Sequence, residues 1–157
     1  MEENDRIHLA EAIRLARENA MMGGGPFGAL VVRDNEVIST GVNRVTLHHD
    51  PTAHAEVQAI RKAGEVLGTH ELFGCTLYSS CEPCPMCLGA AYWARVGRVV
   101  FASDRNDAEK AGFRDASLYL EISLPPEARS IPFRQIKILG AGEEFKTWLK
   151  HPGRIEY

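Results

Sequence analysis

His54-Ala55-Glu56 and Pro83-Cys84-Pro85-Met86-Cys87 are the two runs on which the reading of this chain turns. One histidine and two cysteines supply three ligands for a tetrahedral zinc ion and leave a fourth position open for water. Glu56, one residue removed from the histidine, can move that water's protons without ligating the metal. A structural zinc site would use four protein ligands, usually as two matched pairs, and no second pair with that spacing stands in the sequence. Each run also opens a helical pattern. For all three ligands to reach one ion, two helices must lie side by side with their N-termini together, and two consecutive parallel crossovers on one face of a sheet deliver that arrangement.

The flanking sequence supplies the sheet. From Asp5 to about Met22, Leu9, Ala12, Ile13, Ala16 and Ala20 recur at helical spacing among charged residues, until Gly23-Gly24-Gly25-Pro26 removes both helix propensity and a backbone donor. The β-rich runs 27–33 and 36–42 flank Asp34-Asn35, a two-residue turn signal, and predict an antiparallel hairpin. A polar loop over 43–52 leads to Thr52, a candidate N-cap for a helix over 53–67 that carries His54 and Glu56 in its first turn. Strands are expected at 75–79 and 99–102, with a helix from Pro83 to about Val96 between them. Short helices at 106–112 and 115–122, an edge strand at 135–139 and a last helix at 143–150 complete the pattern. The fold class is therefore α/β: a three-layer α/β/α arrangement around a central mixed five-stranded sheet with helices on both faces. One domain over residues 1–157 is expected.

The bulk properties bound the function. The 157 residues are 45% hydrophobic and 25% charged, with a formal net charge of -3 and a pI near 6.1. Such a chain lacks the global basic field that holds a phosphate backbone, which makes nucleic acid an unexpected partner. No apolar run approaches the roughly 20 residues that span a bilayer, so no membrane partner is expected. The acidic start Met1-Glu2-Glu3-Asn4-Asp5 is the opposite of a targeting signal, and a cytoplasmic location follows as the expectation. Four cysteines could form two disulfides, but three of them within 81–87 read as metal chemistry. Cys81, Cys84 and Cys87 also carry an iron–sulfur spacing, yet Ala91 stands where its next cysteine would be required. Cys81 is then a buried neighbour of the site, Cys75 a core residue, and His48, His49, His70 and His151 surface or loop residues.

Cys84 and Cys87, three apart, present both sulfurs on one face of a first helical turn, where the helix dipole favours thiolates. Two thiolates and a neutral imidazole leave the zinc with about zero net charge, a modest Lewis acid that needs a base beside it. Glu56 fills that role, with a pKa raised in a dry pocket. It takes a proton from the water, passes it to a ring nitrogen as the amine-bearing carbon is attacked, and assists the amine as it leaves. Histidine and glutamate in this offset, followed by P-C-x-x-C, form the zinc deaminase signature. These motifs alone do not choose among cytosine, adenosine and guanine substrates.

Further residues narrow the choice. The runs Pro51 to Val57 and Ser80 to Arg95, together with Gly25-Pro26-Phe27-Gly28-Ala29, Ala111-Gly112-Phe113-Arg114-Asp115, Tyr119 and the final Glu156-Tyr157, resemble the bacterial guanine deaminases of the cytidine/deoxycytidylate deaminase superfamily. The similarity covers nearly the whole chain. It implies a cytidine-deaminase-like fold, one Zn2+ per subunit, and hydrolysis of a purine base, guanine, to xanthine and ammonia in purine catabolism or salvage. It also implies a homodimer with a C-terminal segment exchanged between subunits. The substrate contacts it implies are Asn43 bonding the purine, Phe27 stacking on it, Asp115 accepting from its N–H edge, and Tyr157 closing the pocket. Ala55 and Trp93 complete that set, Trp93 with core packing as its alternative and Asp115 with a plain helix N-cap as its own. The rival readings are a tRNA adenosine deaminase, a guanosine or aminotriazine deaminase, and a zinc-binding module without activity, against which Glu56 argues.

Overall fold

The computed structural model describes residues 2–157. Strands β1 (Gly28–Arg33) and β2 (Glu36–Val42) form the expected antiparallel hairpin. Asp34 and Asn35 both take positive φ, 51° and 66°, as a two-residue turn matched to strand twist requires. The other edge of β1 pairs antiparallel with β3 (Thr76–Cys81), and β3 pairs parallel with β4 (Arg98–Ser103), giving the order β2-β1-β3-β4. Helix α3 (Ala55–Leu67) joins β2 to β3, and α4 (Pro85–Trp93) joins β3 to β4. Because β2 and β3 are each antiparallel to β1, they run in the same direction. Both crossovers are therefore parallel, although only β3 and β4 are parallel neighbours.

Alternation along the strands sorts the core into two layers. Ala29 and Val31 of β1 and Leu77 of β3 face Ala55, Ala59 and Ala63 of α3 and Ala91 of α4. Leu30, Val32 and Tyr78 face Ala12 of α1 (Glu2–Met21) on the opposite side. The buried stripe of α1 is His8, Ala12, Ala16 and Asn19, rotated from the expected one: Ile13 and Ala20 are exposed. The rotation follows from partners that hydropathy does not count, since the ring nitrogen Nε2 of His8 lies 3.1 Å from Asn35 Oδ1 and Asn19 donates to two backbone carbonyls.

Two further expectations change. The 43–52 loop contains one helical turn, α2 (Val45–His48). The sheet has four strands, and residues 135–139 carry no strand pairing among the described residues; an alternating pattern alone does not make a strand without a neighbour for its backbone groups. After β4 come α5 (Arg105–Lys110) and α6 (Asp115–Ser123), and then a 3-10 turn at Pro126–Ala128 and α7 (Glu143–Lys150). The chain separates into two compact units, one up to Tyr119 and one over Leu120–Tyr157. Within the second, the Arg129 guanidinium lies over the Phe133 ring and that of Arg154 over Trp148.

Helix α1 is tied to the sheet at its start by a polar cluster. Asp5 takes two hydrogen bonds from Arg98, 2.7 and 3.0 Å, and one of 2.6 Å from the Tyr78 hydroxyl. The Arg98 and then the Tyr78 hydrogen bonds hold the Asp5 carboxyl down at about 2 against 3.8 for the ordinary group. A carboxylate with a depressed folded-state pKa adds stability above its unfolded value and loses it as pH falls through the folded one. Asp5→Asn should therefore lower the melting temperature at neutral pH, with the gap to the parent chain closing from about pH 4 to about pH 2. Thermal melts across that range check it; a gap that stays constant would remove the charge of Asp5 as the cause.

Candidate active site

The three candidate ligands sit on helix caps. His54 is the N-cap of α3, with extended backbone at φ -72° and ψ 154°, and Cys84 is the N-cap of α4 at φ -66° and ψ 168°. Helix α3 thus starts two residues later than the sequence pattern places it, and Thr52 is not its cap. Thr52 instead closes a local turn, its backbone N–H and hydroxyl both donating to Asp50 Oδ1 at 2.8 and 2.7 Å. Pro85 opens α4 at a position where its missing N–H costs nothing. Gly41 lets α3 approach: a Cβ there would fall 2.1 Å from the Ala55 carbonyl oxygen and 2.5 Å from the Ala59 nitrogen. Any side chain at 41 would push the start of α3, and His54 with it, off the sheet.

His54 Nδ1 lies 3.5 Å from both Cys84 Sγ and Cys87 Sγ, and the sulfurs are 3.6 Å apart. A tetrahedral ion with Zn–S of about 2.3 Å and Zn–N of about 2.0 Å spaces its ligands at about 3.8 Å for S···S and about 3.5 Å for S···N. The residues present fit zinc. Cys84 and Cys87 are buried and His54 is half-buried. The hydrogen bond with Cys87, and next that with His54, draw the Cys84 thiol down to about 4, while the hydrogen bond with Cys84 and burial push the Cys87 thiol up. The hydrogen bond to Cys84 raises the His54 pKa. A divalent cation would take both sulfurs as thiolates and the imidazole neutral.

Glu56, 5% exposed, lies against this triangle, with Oε2 3.4 Å from Cys87 Sγ. The hydroxyl of Ser79, in strand β3, donates to its other oxygen at 3.0 Å. Burial raises the Glu56 pKa, so its neutral form is within reach. Ser79 escaped the sequence reading because a serine inside a strand carries no motif.

A cleft of about 400 Å³ opens in front of the triangle, within the range typical of small-molecule sites. His54, Glu56 and Cys84 form its floor; Phe27, Asn43 and Asp115 line it with Gly23–Pro26, Val45 and Thr46. Phe27 meets Phe113 edge to face, centroids 4.8 Å apart, which makes an apolar wall. Asp115 opens α6, half-buried, and burial raises its pKa. Glu82, a cleft residue that the sequence reading passed over, is paired with Arg105, whose guanidinium lies over the Tyr119 ring. The Tyr119 hydroxyl in turn donates to the Pro83 carbonyl at 2.8 Å and steadies the entry to α4. Ala55 is fully buried at the first position of α3. Trp93 is exposed in the last turn of α4, and Tyr157 is exposed at the end of the second unit.

Residues 2–103 match the family model described as the cytidine and deoxycytidylate deaminase zinc-binding region. The chain belongs to that family. Zinc binding is a property of the family, and His54, Cys84 and Cys87 are the residues placed to hold the ion. This deaminase is 50% identical to the guanine deaminase of Bacillus subtilis (strain 168) over 155 residues, 98% of this chain and 99% of that one. The X-ray structure of guanine deaminase from Bacillus subtilis superposes with a TM-score of 0.94, covering 97% of this chain and 98% of that one. A guanine deaminase structure from Nitrosomonas europaea matches with a TM-score of 0.65 at 36% identity, over 69% of this chain and 63% of that one. The tRNA-specific adenosine deaminase of Buchnera aphidicola subsp. Baizongia pistaciae (strain Bp) is 40% identical over 110 residues, 70% of this chain and 68% of its own.

Metal analysis of the purified protein should give one zinc per chain. Cys87→Ser exchanges a soft thiolate for a hydroxyl at a site built on two sulfurs, and should lower zinc occupancy and melting temperature together. A fully loaded serine variant with an unchanged melt would show that Cys87 is not a ligand.

Proposed function

We propose that this deaminase hydrolyses guanine to xanthine and ammonia. The observation that carries the reading is the buried Glu56 carboxyl, held by Ser79 beside the His54, Cys84 and Cys87 triangle, in a cleft lined by Phe27, Asn43 and Asp115. The full-length likeness to a guanine deaminase selects the base. A zinc ion held by His54, Cys84 and Cys87 would make a water nucleophilic at neutral pH. Glu56 takes a proton from that water and delivers it to the ring nitrogen next to the amine-bearing carbon. The new C–O bond forms there. Glu56 then carries the second proton to the amine, the C–N bond breaks, and ammonia leaves. Guanine plus water becomes xanthine plus ammonia, with Glu56 returned to its starting state.

Recognition falls to the walls. Asn43 Oδ1 accepts from the Val45 N–H at 3.2 Å, which leaves its amide nitrogen to donate to a purine acceptor. Asp115 accepts from guanine N–H groups and meets a lone pair where adenine presents its ring nitrogen. Phe27 stacks on the base, with Ala55 packed beneath the floor. The protein acts as a cytoplasmic homodimer whose C-terminal segment, exchanged between subunits, carries Tyr157 to a substrate pocket, while Trp93 on α4 meets the partner's pocket across the dimer. The apolar residues Ile136, Ile138 and Leu139, 66%, 69% and 105% exposed, support a partner for that segment.

The deciding assay measures ammonia from guanine, guanosine, adenine, cytosine and a tRNA anticodon stem. Release from guanine is expected, and release from the tRNA stem alone would overturn the reading. Glu56→Gln should keep its zinc and lose at least about 10³-fold in kcat, the scale of a missing proton shuttle. Deleting Tyr157 alone should cut guanine turnover sharply with zinc content and melting temperature intact; full turnover in the deletion would take Tyr157 out of the site.

A further inference from the structure

The glycine run 23–25 and the first helix hold an amide that none of the chemistry above uses. Asn19 is fully buried in α1, and both hydrogens of its side-chain nitrogen are spent: one goes to the Gly25 carbonyl at 2.8 Å, the other to the Asn43 carbonyl at 2.7 Å. Its Oδ1 is buried with no hydrogen-bond partner among the described residues. Turning the amide over would set that oxygen against two carbonyls, so the network fixes its orientation. A residue kept only for packing would avoid an orphaned acceptor, since leucine fills a similar space without one. The amide is thus explained by what its two donors hold.

They hold the cleft wall. Gly25 O also accepts from the Phe27 N–H at 2.8 Å, and Phe27 O accepts from the Asn43 N–H at 3.1 Å. Asn19 therefore closes a loop of bonds through Gly25, Phe27 and Asn43. The glycines follow from the same geometry: a Cβ at Gly24 would fall 2.3 Å from Asn19 Nδ2, and one at Gly25 would fall 2.7 Å from Asn43 Oδ1. The run that ends the helix also makes room for two asparagine side chains.

We propose that Asn19 is the positioning residue for base recognition: through Gly25 and Asn43 it sets where the purine-contacting wall stands, and it takes no part in the chemistry at the zinc. The kinetic side of this proposal rests on the guanine reading above; the structural side does not. Two measurements on zinc-loaded Asn19→Leu keep them separate. Hydrogen exchange, which needs no substrate, should speed up in segments 23–28 and 43–46 and stay at parent levels in 54–60 and 84–90. Steady-state kinetics should show KM for guanine raised about tenfold or more with kcat little changed, the pattern of lost binding and not of lost chemistry. Unchanged exchange in 23–28 and 43–46 would overturn the proposal whatever the substrate. Selective loosening, with a parent chain that releases no ammonia from guanine, would sustain the role of Asn19 and overturn the substrate reading. Raised exchange everywhere, with kcat and KM both altered, would reduce Asn19 to a general stability residue and also overturn the proposal. If the leucine variant does not fold, Asn19→Ala, which adds no bulk and removes the same donors, is read by the same outcomes.

Discussion

Two thiol sulfurs and an imidazole must meet at one point although they come from two helix ends, and the rest of the structure follows from that requirement. A thiolate pair three residues apart needs only one helical turn. The imidazole must arrive from a different helix, within about a bond length of where the sulfurs aim. The two helix starts are brought together by alanine. Ala55, Ala59 and Ala63 on α3, with Ala91 on α4, let the helices lie close on the sheet, and Gly41 removes the last obstacle beneath α3. Larger side chains at these positions would bury more apolar surface and separate the ligands. The layer above the sheet is built for proximity, and much of the larger apolar packing falls to Leu30, Leu72, Leu77 and Val31.

Placing the ligands on caps has electrostatic results as well. A cap residue keeps extended backbone while the helix N–H groups behind it remain unpaired and point forward. His54, Cys84 and Glu56 therefore share the positive ends of two helices, which favours thiolate sulfur and an ionised carboxylate. Burial works the other way on Glu56 and prevails, raising its pKa. A group that must both accept and give a proton in one cycle is suited by that balance.

The sequence made the chemistry far more legible than the surroundings. The ligands and Glu56 stand in motifs whose spacing is itself the physics, and the hairpin turn at Asp34-Asn35 is written in residues that tolerate positive φ. Helix boundaries near the site were misplaced because Thr52 looks like a cap while its hydroxyl is engaged with Asp50. The buried face of α1 was misread for a related reason: hydropathy ranks Ile13 above Asn19, whereas two carbonyls waiting in the core rank them the other way. Ser79 and Glu82 left no local signal, since each acquires its role from a residue more than twenty positions away. The strand expected at 135–139 shows the limit of pattern itself, because pairing belongs to two segments and periodicity to one.

The strand order carries a consequence for how the molecule is assembled. Helix α3 passes over β1 to reach β3, so β1 is wedged between β2 and β3, the strands that lead into the two halves of the metal centre. His54 is separated from the sulfurs by 30 and 33 positions, and in the folded chain that loop is closed across the pairing of β1 with β3. Loop closure is an entropic barrier that local helix formation does not lower. The two thiols are neighbours on one helical turn, whereas their meeting with the imidazole is a property of the assembled sheet.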